Sequence, residues 1–125
     1  NLSKNIKKKK LIHSIYKSKI DENKVLKISN VSTPNKSNYW LNILEIKKTL
    51  SKKKFSKIIK LLNMHGIEVR PIWHPNHLQK NYKKCQVYKL NNIKNIYQKR
   101  LCLPSSSQLT AKQQNFICKK LNDIF

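Results

Sequence analysis

One segment of the sequence, residues 38–72, constrains the fold more than any other. Asn38–Ile46 (NYWLNILEI) is rich in aromatic and branched residues, a composition typical of a buried strand. Lys52–His65 has apolar residues at helical spacing, and the chain's single glycine, Gly66, follows where a left-handed residue often ends a helix. Ile67–Ile72 then predicts a second strand. The pattern therefore indicates a strand–helix–strand unit.

The first third of the chain predicts one long helix and one short strand. Lys4–Lys19 reads as a basic helix, whose predicted inward face comprises Leu11, Ile12, Ile15 and Tyr16. Asp21–Asn38 is polar and reads as a connection, with at most a short strand at Val25–Ile28. In the central unit, Ser51 is placed to cap the helix, and the apolar stripe comprises Phe55, Ile58, Ile59 and Leu62.

The last third predicts a short helical segment at His77–Lys84, a helix at Asn91–Lys99 and a strand or edge segment at Leu101–Pro104. A closing helix is expected at Ala111–Ile124, capped by Thr110 with Gln113, and its predicted inward residues are Phe116, Ile117 and Leu121. The whole chain, 1–125, therefore reads as one α+β domain in which helices pack on a small sheet of few strands.

The charge is the second constraint. The chain has 28 Lys and Arg residues but only five Asp and Glu residues, which gives a net charge of +23. Such a balance favours an anionic partner, and nucleic acid is one such partner. Only Arg70 and Arg100 are arginines, whereas base readout and bidentate phosphate binding depend on arginine. The many Lys, Asn and Ile residues also have AT-rich codons. We therefore expect most of the lysines to be solvated surface.

The cysteines and histidines do not form a recognisable metal or disulfide framework. Cys85, Cys102 and Cys118 are odd in number and have no CxxC spacing, which favours a reducing cytoplasm over a disulfide scaffold. His74 and His77 lack the further ligands of a zinc site at suitable spacing, so we expect no metal. No apolar run is long enough to span a membrane.

The second half carries a combined motif. It begins with Asn38–Leu41 (NYWL), continues after the helix with Gly66–His77 (GIEVRPIWHPNH), adds Gln79 and Tyr82, and ends with Leu101–Ser107 (LCLPSSS). This motif closely resembles the C-terminal region of the DegT-type sugar aminotransferases, and is most similar to the branch that aminates UDP-linked 4-keto-6-deoxy sugars. Residues 1–20 resemble the helix with which that family begins its small domain, and residues 38–125 resemble the core of the domain.

The resemblance implies the C-terminal small domain of a fold-type-I aminotransferase, in which pyridoxal phosphate carries an amino group, usually from glutamate, to a nucleotide-linked ketosugar for polysaccharide biosynthesis. In that family the cofactor lysine lies in the large domain, and no lysine here is followed by the family's glycines. It therefore implies a chain truncated at its N-terminus, no catalytic residue, no cofactor bound by the chain alone, and an inactive fragment. It also implies a missing large domain and a homodimer.

The candidate substrate-binding residues are Arg70, Trp73, His74, His77 and Tyr82. Trp73 could offer a stacking face or be core. His77 and Tyr82 could donate hydrogen bonds to a ligand, or the two histidines could cap the loop. Arg70 suits a carboxylate or a diphosphate, but a surface ion pair is the simpler expectation. Trp40 and Cys102 are expected in the core.

Two rival functions remain open at this stage. A basic module that binds nucleic acid or an anionic surface would rest on net charge alone, and it lacks a recognition motif. A remnant domain that has lost its enzyme is the third interpretation.

Overall fold

The computed structural model describes residues 1–20, 24–31, 37–90 and 93–125. In chain order the elements are α1 (Leu2–Ile20), β1 (Leu26–Ile28), β2 (Asn42–Ile46), α2 (Lys52–Met64), β3 (Arg70–Pro71), 3-10 turns at Asn76–Leu78 and Lys80–Tyr82, α3 (Ile93–Tyr97), β4 (Arg100–Leu103) and α4 (Ala111–Ile124). The α+β class predicted from the sequence is confirmed. Residues 21–23 and 32–36 of the predicted polar connection and residues 91–92 of the predicted helix at 91–99 lie outside the described residues.

The four strands form one antiparallel sheet in the order β1-β2-β4-β3. Both β2 and β3 are antiparallel to β4. The two strands of the predicted strand–helix–strand unit, β2 and β3, therefore run parallel to each other, and β4 lies between them. Leu101–Pro104 was expected as a strand or an edge segment. The strand is confirmed as β4, and it lies in the interior of the sheet rather than at its edge.

One face of the sheet is buried under the helices. Leu26, Ile28, Leu44, Ile46 and Leu101 alternate with more exposed neighbours along their strands, and all are at most 1% exposed. Side chains opposite one another in neighbouring strands share a face, and the register pairs these residues with one another. The structure is therefore two-layered, with the core between sheet and helices.

The opposite face of the sheet is polar and partly open. Arg100 on β4 donates to Glu45 on β2 at 2.9 Å. Cys102 lies on this face because it alternates with the buried Leu101 and Leu103, so its expected position in the core is wrong and it is only half-buried.

The helix caps follow the sequence closely. The Ser51 side chain accepts from the Lys54 amide at 3.2 Å, and Thr110 forms a reciprocal capping box with Gln113. Gly66 has φ +74°, the left-handed conformation expected after α2. These three predictions are confirmed.

Two strands are shorter than predicted because other groups take their backbone hydrogen bonds. The Ile67 amide donates to Leu62 of α2, and the Val69 amide donates to the Asn63 side chain, so only Arg70–Pro71 remains as β3. The strand predicted at Asn38–Ile46 is β2, and it starts at Asn42 because Tyr39 has φ +52°, which is incompatible with extended backbone.

Two helix faces are rotated from their predicted positions. On α1 the buried residues include Ile12, Tyr16 and Ile20, whereas Leu11 is 59% exposed. On α4 Phe116 is 45% exposed, and the buried positions include Gln114, whose Nε2 donates to the Ile12 carbonyl at 2.5 Å. One polar residue thus lies on the buried face of α4, where hydrophobicity alone would place Phe116.

Candidate functional site

The segment from Trp73 to His77 leaves the sheet at the end of β3 and forms a rim beside it. The Leu78 amide donates to Pro75 O at 3.0 Å, which closes the first 3-10 turn. The Gln79 side chain donates to His74 O at 3.1 Å and to Asn76 Oδ1 at 3.2 Å. Local hydrogen bonds therefore fix the rim, although its side chains are largely exposed.

Trp73 lies on the surface, 69% exposed, and faces Trp40, which is 64% exposed. The two indole centroids are 5.9 Å apart and their planes are tilted by 40°. The core positions considered for Trp73 and expected for Trp40 are both wrong, because the end of β3 and the corner before β2 direct both rings outward. The structure thus brings two exposed tryptophans together from distant parts of the sequence.

His74 and His77 point to different surroundings. The exposed His74 ring meets Tyr97 of α3 edge-on, with centroids 5.1 Å apart and planes at 84°. His77 and Tyr82 line a cavity of about 380 Å³. The other residues around this cavity are mostly apolar or neutral: Pro75, Asn76, Cys85, Gln86, Val87, Tyr88, Leu90 and Ile93. Only two of the five sequence-predicted site residues therefore share this cavity.

Arg70 lies at the edge strand and forms an ion pair with Glu68, two residues earlier in the chain. The two side chains are 77% and 71% exposed. The simpler of the two sequence expectations, a surface ion pair, is confirmed. The pair leaves part of the guanidinium free for a ligand.

A buried polar junction joins α1, β2 and the segment after β4, and sequence reasoning missed it. His13 Nδ1 lies 2.9 Å from Asn42 Oδ1, and Asn42 Nδ2 donates to Ser105 Oγ at 3.0 Å. The Ser105 hydroxyl also accepts from the Asn42 amide at 2.9 Å and donates to Leu103 O at 2.8 Å. The available signal was Asn42 itself, a polar residue at an inward position of an alternating strand.

These bonds determine the tautomer of His13. Because the only hydroxyl hydrogen of Ser105 goes to Leu103 O, Ser105 must accept from Asn42, so the amide turns its oxygen toward His13. His13 therefore carries its hydrogen on Nδ1, and its buried Nε2 has no hydrogen-bond partner in the described structure. The ring also stacks on Tyr39, with centroids 4.2 Å apart and planes at 31°.

The buried hydroxyl and thiol groups are held in their neutral forms. Burial, with a smaller effect of Cys118, raises the pKa of Tyr16 well above its usual value, and its hydroxyl donates to Pro104 O at 3.0 Å. Burial also raises the pKa of Cys118 to about 11, slightly offset by Lys19. Burial raises the pKa of Cys102 as well. Neither thiol is therefore poised to act as a nucleophile.

Pyridoxal phosphate requires an amine for its aldehyde, a partner for its ring nitrogen and donors for its phosphate. Within the described ranges, the carboxylates of Glu45 and Glu68 are paired with arginines and Asp123 is exposed on α4. The N-termini of α2 and α4 are closed by their own side-chain caps. The described residues do not fit this cofactor by themselves.

The same part of the chain holds no metal or membrane signature. Among the described residues, no group of three or more His, Cys, Asp or Glu side chains could hold a metal ion. No described helix combines the length and apolar character needed to cross a bilayer.

The sheet, its helical layer and the rim define the class: this is the fold of the small domain of fold-type-I sugar aminotransferases. Spr1654 of Streptococcus pneumoniae, described as a sugar aminotransferase, superposes with a TM-score of 0.81 at 19% identity, over 95% of this chain and 30% of its own. DesI, solved in the presence of its TDP-sugar product, superposes with a TM-score of 0.72 at 15% identity, over 95% of this chain and 30% of its own.

Sequence comparison places the chain within that class. EpsN of Bacillus subtilis, described as a pyridoxal phosphate-dependent aminotransferase, is 25% identical over 128 aligned residues, which cover 99% of this chain and 32% of EpsN. Residues 1–122 match the model of the DegT/DnrJ/EryC1/StrS aminotransferase family, and the chain belongs to that family. It spans about a third of the length of the relatives it matches.

Proposed function

We propose that this chain is the small-domain portion of a pyridoxal phosphate-dependent enzyme that aminates a nucleotide-linked 4-keto-6-deoxy sugar, with UDP as the nucleotide. The observation that carries the proposal is the family match over residues 1–122. The TDP-sugar product present with DesI supports a nucleotide-linked substrate, and UDP rests on the resemblance of the combined motif of the second half of the chain. The enzyme is a cytoplasmic homodimer that contributes to polysaccharide biosynthesis.

The rim supplies the small domain's part of the substrate site. Its cavity of about 380 Å³ is of a size suited to part of a nucleotide sugar and is largely apolar, with His77 and Tyr82 as hydrogen-bonding groups. Trp73 and His74 directly precede Pro75 and extend the rim beside this cavity. Arg70 keeps donors free for an anionic group beyond its ion pair with Glu68.

The cofactor lysine and the groups that hold pyridoxal phosphate belong to the large domain. The described residues offer no unpaired buried carboxylate for the ring nitrogen and no glycine-rich cradle for the phosphate. The 125-residue chain alone therefore does not transaminate. Its contribution is to shape and close a site whose reactive groups lie elsewhere.

The test combines this chain with the large domain encoded by the DNA upstream of the codon for Asn1, which should contain a lysine closely followed by glycines. Glutamate-dependent amination of a UDP-4-keto-6-deoxy sugar is followed through formation of 2-oxoglutarate. We expect turnover from the combination and none from the chain alone. Turnover by the chain alone, or a combination that binds cofactor but aminates no nucleotide ketosugar, would contradict the proposal.

The rim residues are tested in the same assay. His77→Ala should lower kcat/KM at least about tenfold, because it removes a hydrogen-bonding group from the cavity. The matched control is His65→Ala, since His65 is exposed and its Nδ1 lies 2.8 Å from the Leu61 carbonyl of its own helix, away from the cavity lining. Equal effects of the two substitutions would remove the cavity from the substrate site.

A further inference from the structure

Two exposed tryptophans lie next to each other on the surface, beside a lysine that hydrogen bonds hold in place. The chain has only two tryptophans, and both lie at this one place, Trp40 64% exposed and Trp73 69% exposed. Large aromatic side chains that pair on a surface commonly mark a binding site. We propose that Trp40, Trp73 and Lys9 form a subsite for the nucleobase and diphosphate of the substrate, an inference that rests on the proposed function.

The geometry of the pair suits a flat ring. With centroids 5.9 Å apart and a tilt of 40°, the indoles touch without covering each other's faces. A nucleobase can therefore stack on one indole face while its edge contacts the other ring. Stacking on an aromatic side chain is available to every base, since each base has a π-face.

Trp40 is held in place before any ligand arrives. Its amide donates to Asn38 Oδ1 at 3.0 Å, and the preceding Tyr39 amide donates to Ser37 Oγ at 3.0 Å. Tyr39 has φ +52°, and its ring stacks on the buried His13 at 4.2 Å. These contacts fix a corner that would otherwise be flexible, and a preformed site binds without the entropic cost of ordering.

Lys9 supplies the charge. Its ammonium group donates to Ser105 O at 2.6 Å and to Trp40 O at 3.3 Å, which leaves one of its three N–H donors for a ligand. Within the described ranges, Glu45 and Glu68 are both paired with arginines. We call Trp40, Trp73 and Lys9 together the platform. An anion bound there lies close to the Lys9 ammonium group, so a diphosphate attached to a stacked base could contact both the charge and the aromatic rings.

The test is titration of the chain with UDP, followed by tryptophan fluorescence at constant ionic strength. Both fluorophores belong to the platform, so the signal reports on this site. We expect saturable quenching, and we expect Trp40→Leu and Trp73→Leu each to weaken UDP binding about tenfold. Trp40→Phe should retain most of the affinity because it preserves an aromatic face.

The charge is tested with Lys9→Met, which should weaken UDP binding about tenfold, whereas Lys10→Met, at an exposed neighbouring position, should change it less than about twofold. Uridine and inorganic pyrophosphate are the ligand controls, and each should bind much more weakly than UDP. Far-UV circular dichroism confirms that each variant is folded, and both tryptophans are exposed, so their replacement leaves the core intact.

Three results would overturn the subsite. They are binding of pyrophosphate as tight as that of UDP, unchanged UDP affinity in both tryptophan-to-leucine variants, or loss of self-association in those variants without loss of UDP binding. If the complete enzyme aminates its nucleotide sugar while the platform variants keep wild-type KM, the subsite is wrong and the proposed function stands. If the platform binds UDP but the complete enzyme has no aminotransferase activity, the proposed function is wrong and the platform remains a UDP-binding site.

Discussion

The buried junction of His13, Asn42 and Ser105 allows a quantitative prediction for Asn42→Leu. Leucine has the same branched side-chain shape as asparagine, and Asn42 is only 1% exposed, so the substitution chiefly removes buried polar atoms. The side-chain hydrogen bond to Ser105 is lost, at a net cost of about 1 kcal/mol. His13 Nδ1 also loses its acceptor, which leaves a buried donor unpaired at a cost of about 1–3 kcal/mol.

The sum predicts that Asn42→Leu lowers the free energy of unfolding by about 2–4 kcal/mol. Urea denaturation followed by far-UV circular dichroism measures this change. Asn115→Leu, at an exposed position of α4, is the control and should change stability by less than about 0.5 kcal/mol. Stability of Asn42→Leu within that range would refute the assigned junction.

A double-mutant cycle separates lost bonds from unpaired groups. His13→Leu alone leaves Asn42 Oδ1 without its donor, so it should also be costly. The double variant removes both polar partners at once, and its cost should be smaller than the sum of the single costs by about 1–3 kcal/mol. Strict additivity would mean that the two side chains do not interact, and the tautomer inferred for His13 would lose its basis.

Gly66→Ala should lower the free energy of unfolding by about 1 kcal/mol, because φ is +74° and no heavy atom lies within 4 Å of the added Cβ; urea denaturation checks this, and a loss above about 3 kcal/mol would indicate a steric clash instead. Burial raises the pKa of Cys118 to about 11, so the folded protein keeps a proton that the unfolded chain loses near pH 8.5. Its stabilisation should therefore be complete below about pH 8 and fall as pH rises toward 11, as denaturation at pH 8 and 10 with Cys118→Ala for comparison would show. A thiol reagent should label the exposed Cys85 in the folded protein and reach Cys118 only on unfolding. Arg70→Gln should change stability by less than about 0.5 kcal/mol, because its ion pair with Glu68 is largely solvated, and a larger loss in urea denaturation would show that the pair is structural.

The parts of the fold that the sequence predicted are those governed by local rules. Ser51 and Thr110 cap helices because each lies directly before a helical pattern, and Gly66 ends α2 because left-handed backbone favours glycine. The resemblance to a known family then supplied the architecture. Strand order was not accessible locally, since the insertion of β4 between β2 and β3 depends on contacts between distant segments.

The errors share one physical cause. Trp40, Leu11 and Phe116 were placed inside because they are hydrophobic, but the three side chains are 64%, 59% and 45% exposed. Hydrophobicity gives an average tendency toward burial, whereas the backbone direction at each position decides where a side chain points. The buried Asn42 and Gln114 are the converse, because specific hydrogen bonds compensate for their loss of water.

The candidate site shows the same division between local and long-range information. A motif in the sequence indicated the rim, but of the five candidate site residues only His77 and Tyr82 line the cavity. The ring next to Trp73 is that of Trp40, which belongs to a distant segment. Lys9 donates to Trp40 O, 31 positions away, and to Ser105 O, 96 positions away. A helix remote in sequence thus holds the corner that carries Trp40, so Lys9→Met should weaken UDP binding although Lys9 itself lies outside the motif.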